Sequence, residues 1–149
     1  MQEHETWMRL ALEQAALASA EGEAPIGAVL VCNGELLAAA YNHREREHDV
    51  TSHAEIEVLR IAGKQTGDWR MRDCTLYVTL EPCPMCAGAI LAARVGRVVF
   101  GAKDATAGAM GSVLNLPRFP LGSEPEVVEG VLAAESRALL QSFFKNRRK

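Results

Sequence analysis

Two short segments hold residue types from which a reactive site can be built: His53-Ala54-Glu55 and Pro82-Cys83-Pro84-Met85-Cys86. Cys83 and Cys86 stand three apart, a spacing that puts both sulfurs on one side of a helical turn. At a helix start, thiolates are stabilised by the positive end of the helix dipole. His53 adds a nitrogen donor. One imidazole and two thiolates suit Zn²⁺, which takes nitrogen and sulfur ligands in a tetrahedron. Structural zinc sites normally use four protein ligands, and only three well-placed ones are found here. Three leave a position for water, as in catalytic zinc sites, and zinc lowers the pKa of such a water from about 16 to about 7. Glu55, two residues past the histidine, reaches the same open side without being a ligand and suits proton transfer.

Each piece has a plainer reading by itself. Cys83-x-x-Cys86 could be a redox pair or half of a structural metal site. His53 could be a packed or capping histidine. Glu55 sits three residues after Ser52 and could be the far half of a capping box. The ordered combination, His-x-Glu and then Pro-Cys-x-x-Cys, is the signature of zinc nucleobase deaminases. Cys32 and Cys74 fall in or beside expected strands and read as buried small hydrophobes. A disulfide is not expected of a cytosolic chain. His4, His43 and His48 lack metal-like spacing and are expected in solvated loops or on the surface.

These residues need elements to position them. The 149 residues are 48% apolar, enough for the core of one domain over 1–149. No apolar run of about 18 residues suggests a membrane span. The first residues do not look like a signal peptide, so a cytoplasmic location is expected. The net charge of −3 argues against indiscriminate nucleic-acid binding, and no DNA partner is expected. Positive charge nevertheless gathers in Lys145-Asn146-Arg147-Arg148-Lys149, and a local basic patch can hold phosphates. Met8, Ala11, Leu12 and Ala15 recur at helical spacing between Glu5 and Ser19. The apolar run 26–32, Asn33-Gly34 and the run 36–41 read as a hairpin. A polar loop over 42–51 follows. A helix is predicted over 53–62, closed by Gly63, then a strand over 75–80 and a helix over 87–93. A strand over 97–100, the core of a fifth at Val127-Val128, and a helix over 132–144 complete the order. A mixed sheet covered by helices on both faces is the natural architecture.

The chain resembles the tRNA-specific adenosine deaminases, the TadA family within the cytidine-deaminase superfamily. The segments that carry the resemblance are 25–31, His48-Asp49, Thr51-Ser52-His53-Ala54-Glu55-Ile56, Leu76 to Ala89, Gly101-Ala102-Lys103-Asp104-Ala105, Gly130 to Glu135 and Phe143 to Arg148. The resemblance implies a cytidine-deaminase-like, three-layer α-β-α sandwich around a five-stranded mixed sheet. It implies a homodimer with one zinc per subunit, bound by His53, Cys83 and Cys86, with Glu55 catalytic. It implies conversion of adenosine to inosine at the wobble position of a tRNA anticodon, usually that of an arginine tRNA. By position, Asn42 and the backbone of Ala54 match base-contacting groups. Asp104 matches an acidic residue in a loop that meets the RNA. Lys145, Arg147 and Arg148 match a basic end that meets the anticodon stem-loop. Thr106-Ala107 replaces the family's Lys-Thr, and Met110 replaces a small residue. Two rivals are carried: a deaminase of free bases or nucleosides, such as guanine, and a non-catalytic zinc module that binds RNA.

Overall fold

In the computed structural model, which describes residues 2–119 and 121–147, short apolar runs become strands, the central three of them buried on both faces. β1 (Gly27–Cys32) and β2 (Glu35–Tyr41) form the predicted hairpin. Its turn residues Asn33 and Gly34 both have positive φ, 54° and 78°, the requirement of a tight two-residue turn. β3 (Cys74–Leu80), β4 (Arg97–Ala102) and β5 (Glu126–Val128) complete a sheet ordered β2-β1-β3-β4-β5. β1 runs antiparallel to both neighbours, whereas β3, β4 and β5 are parallel.

The two-residue period sorts the side chains. Leu30, Leu76, Val78 and Phe100 face one way, onto Val58 of helix α3 (Ala54–Thr66) and Ile90 of α4 (Pro84–Ala92). Val29, Val31, Tyr77 and Val99 face the other way, onto Met8 and Ala11 of α1 (Gln2–Ala20). α5 (Ala133–Arg147) lies on that second side against β4 and α1. The result is the three-layer sandwich, and it places α3 and α4 side by side on one face. On the other face α1 comes very close to β1. A Cβ at Gly27 would collide with the Ala11 carbonyl and stand 2.5 Å from the Ala15 nitrogen. No helix among the described residues is long and apolar enough to cross a membrane.

Several local expectations are corrected. The expected loop after Tyr41 contains a short helix, α2 (Arg44–Glu47). α3 does not stop at Gly63 but runs to Thr66, and Gly67 takes the left-handed terminal position with φ 71°. Gly63 is accommodated inside the helix, whereas the left-handed C-cap falls to Gly67. The capping box does not form, since the N-cap is His53 and makes no side-chain cap bond among the described residues. Cys32 and Cys74 are joined in a disulfide, not held as free hydrophobes. The β1–β3 register sets the two residues directly opposite each other with Cα atoms 4.1 Å apart, a closeness that two cysteines can bridge and that no local pattern announces. His4 is not simply solvated: its Nδ1 lies 2.8 Å from the Tyr77 hydroxyl.

Candidate active site

The antiparallel turn of β1 gathers four chain ends at one end of the sheet. Gly27 pairs with Tyr41, Ala28 with Val78, and Leu80 with Ala102. The start of β1 and the carboxyl ends of β2, β3 and β4 therefore lie together, where open α/β sheets place their ligands. His53 and Cys83 occupy the N-caps of α3 and α4, both in extended backbone conformation, and Cys86 sits in the first turn of α4. Pro84 is pre-set for the first helical position, so Cys83 stays outside the helix while Cys86 turns back beside it.

The three side chains converge. His53 Nδ1 lies 3.7 Å from Cys83 Sγ and 3.4 Å from Cys86 Sγ, and all three donor atoms fall within 4.8 Å of one another. A tetrahedral zinc with ordinary Zn–N and Zn–S lengths requires N···S separations of roughly 3.6 Å. The donor set therefore fits zinc in spacing as well as in type. The electrostatics agree. The Cys83 thiol is held down at about 4, first by its hydrogen bond from Cys86 and, against its own burial, by His53. Cys86 is shifted upward by that same bond and by burial, and His53 upward chiefly by its contact with Cys83. The cluster thus already holds one thiolate, that of Cys83, beside the two other donors.

Glu55 points into the same region from the first turn of α3. It is 3% exposed, and its Oε1 is buried without a hydrogen-bond partner among the described residues. Burial pushes its carboxyl up to about 7. A buried polar atom left unpaired is costly, and such atoms are drawn from functional sites.

Around this centre the other predicted residues take distinct places. Ala54 is fully buried at the head of α3. Asn42 follows β2 and is 5% exposed. Its Oδ1 accepts the Arg44 N–H at 3.2 Å, and the next residue, His43, donates its N–H to the Ser52 carbonyl at 2.9 Å, tying this segment to the one that carries His53. His43 itself differs from expectation: its ring meets Tyr41 edge-on and its Nε2 is buried without a hydrogen-bond partner among the described residues. Asp104 lies in the loop after β4, where Oδ1 accepts the N–H groups of Thr106 and Ala107; the residue organises its own loop. Lys145 is exposed in the last turn of α5. Arg147 donates to the Gly22 carbonyl and stacks over Phe143. It does not join the metal cluster. Arg148 lies outside the described residues.

Two acidic residues escaped the reading of the sequence. Glu23, 1% exposed, accepts the N–H groups of Glu45 and Arg46 and so pins α2 just beyond Asn42. Glu81, 2% exposed, collects the loop after β4. Their only signal was a carboxylate beside an apolar strand run.

Comparison with known proteins agrees with this geometry. The MafB19-like deaminase family matches residues 2–148. The tRNA-specific adenosine deaminase of Bacillus subtilis is 49% identical over 152 residues, covering 100% of this chain and 93% of the relative. A structure from a study of A-to-I editing by tRNA:A34 deaminases superposes with a TM-score of 0.88 at 43% identity, covering 91% of this chain and 99% of the other. The guanine deaminase of Bacillus subtilis is also similar, with a TM-score of 0.67 and 38% identity, but over 73% of this chain and 70% of its own. Similarity that runs through both chains nearly end to end places this protein among the MafB19-like deaminases and, within the cytidine-deaminase superfamily, in the family of tRNA-specific adenosine deaminases.

Proposed function

We propose that this protein deaminates adenosine to inosine at the wobble position of a tRNA anticodon, in the cytoplasm, through one deaminase domain. His53 Nδ1, Cys83 Sγ and Cys86 Sγ would hold one zinc ion. When bound there, the ion supplies Lewis acidity that makes water a nucleophile near neutral pH. The observation that carries the chemistry is the buried Oε1 of Glu55 beside this donor cluster, without a hydrogen-bond partner among the described residues. A buried carboxyl beside the metal donors can take up a proton and release it again in one catalytic cycle. Glu55 thus carries protons to the ring nitrogen and the departing amine of the base. Asn42, held by its bond to Arg44, presents an amide to the base edge, and the Ala54 backbone offers a second contact. Asp104, Lys145, Arg147 and Arg148 are assigned to the RNA side. A single-stranded anticodon loop makes extrusion of the base cheap, because no base pair is lost.

A homodimer is part of the same reading. α3 and α4 leave between them an apolar groove of about 760 Å³, lined by Ile56, Leu59, Trp69, Ala89 and Ala92. Trp69 is 53% exposed there. A second copy is proposed to cover this groove, which runs along both helices toward their C-terminal ends, and sedimentation at dimer mass checks it.

The deciding experiment incubates the zinc-loaded protein with an arginine tRNA anticodon stem-loop and, separately, with free guanine. Inosine in the stem-loop, with guanine untouched, is expected. Ammonia from guanine alone would favour the free-base reading, and zinc-dependent RNA binding without turnover would favour the non-catalytic module. Glu55→Gln is expected to keep its zinc and to lose about 10²–10⁴-fold in turnover.

A further inference from the structure

We propose that Glu81 is a positioning residue that fixes the loop 103–112 to the metal-bearing end of β3, and so sets where the RNA is held relative to the zinc ligands. The inference rests on the tRNA reading given above.

Glu81 ends the apolar run of β3 and stands two residues before Cys83. Its side chain does not reach solvent. Oε1 accepts the Asp104 N–H at 3.1 Å and the Ser112 hydroxyl; Oε2 accepts the N–H groups of Met110 at 3.0 Å and Ser112 at 3.1 Å. Four donors occupy the acceptor sites of one ionised carboxylate. No Lys or Arg pairs with it among the described residues. The charge is therefore held by loop amides and one hydroxyl, and a buried carboxylate in that state is tolerated only while the loop keeps its path.

The loop is shaped around this group. A Cβ at Gly108 would run into the Glu81 carboxyl carbon and stand 2.5 Å from the Asp104 carbonyl. The Ala109 N–H donates to the Pro82 carbonyl at 2.8 Å, and the Glu81 N–H to the Ala102 carbonyl at 2.9 Å. Glu81 and Pro82 thus bind both ends of the loop directly to the segment that supplies Cys83. Asp104, the residue assigned to RNA, is one of the four points held. Movement of the loop and movement of the ligand segment are coupled through the Glu81 carboxylate together with the Ala109–Pro82 backbone bond.

Glu81 touches neither base nor metal in this scheme, so its loss should act on substrate binding. Glu81→Gln keeps the shape but turns an NH₂ donor toward two donors that needed an acceptor. Ser112→Ala removes one donor and leaves the carboxylate in place. With the zinc-loaded protein and the anticodon stem-loop, KM is expected to rise about tenfold in Glu81→Gln and about threefold in Ser112→Ala. In both, kcat and zinc content should stay close to wild type. Should Glu81→Gln fail to fold or to retain zinc, Ser112→Ala decides. Unchanged KM in Ser112→Ala, or a loss confined to kcat, overturns the proposal while leaving the tRNA reading intact. A wild-type protein that leaves the stem-loop untouched overturns that reading and this inference with it.

Discussion

Glu55 and His4 illustrate how burial alters a titratable side chain in opposite senses. In Glu55 burial disfavours the charged carboxylate and raises its pKa to about 7. In His4 burial disfavours the charged imidazolium and, together with Arg97, holds the pKa below its ordinary 6.5. The consequence for stability follows from the sign. A base with a depressed folded-state pKa binds fewer protons folded than unfolded. Its contribution is complete above the unfolded value and is lost as pH falls through it. His4→Gln should therefore flatten part of the fall in thermal midpoint between roughly pH 7 and 5. Melts of the two proteins across that range test it, and parallel curves would remove His4 from the account. The contact of His4 with Tyr77, 73 residues away in sequence, is why a histidine without metal-like spacing still has a defined environment.

Among the elements, α1 lies very close against β1. Met8, Ala11, Ala15 and Ala18 are fully buried, and three of the four are alanines, which lets the helix backbone descend onto the sheet. Gly27 completes the fit from the strand side. Gly27→Ala should cost about 1–3 kcal/mol, the usual cost of overpacking, and would be read as a lower urea midpoint with unchanged slope. Space, not backbone freedom, is the reason, since Gly27 is an ordinary strand residue. The same logic separates α3 from its predicted end. Gly63 resembles a helix stop in one dimension, yet the packing of Val58 and Ala62 carries the helix past it to Gly67.

Taken whole, the molecule carries one covalent link that the sequence reading rejected. Cys32 and Cys74 are separated by 42 residues, and closing a loop of that size stabilises a protein by about 2–4 kcal/mol in the chain-entropy account. Reduction should lower the thermal midpoint accordingly, at about 2–4 °C per kcal/mol for a chain of this size. Cys74→Ala should show a low midpoint with or without reductant. An identical melt for oxidised and reduced wild type would show that the link adds nothing to stability in solution. The bond ties β1 to β3 at the end of the sheet away from the metal donors, so it bears on stability before it bears on chemistry.

Spacing along the chain determined what is local. His-x-Glu and Cys-x-x-Cys fall on single helix starts, Asn33-Gly34 on a single turn, and the short apolar runs on single strands, so each could be read from neighbours a few residues apart. Five apolar runs flanked by helices already implied a mixed sheet covered on both faces, and the resemblance added its cytidine-deaminase-like identity. Tertiary structure decided what depends on pairings far apart in sequence. The β1–β3 register places Cys32 against Cys74. The order β2-β1-β3-β4-β5 brings Asn42, the zinc donors and the loop after β4 to one end of the sheet. The burial of Glu23 and Glu81 likewise exists only once distant amides have arrived to meet their carboxylates. Register and strand order are set by the summed packing of both faces of the sheet, and no short stretch of residues contains that sum.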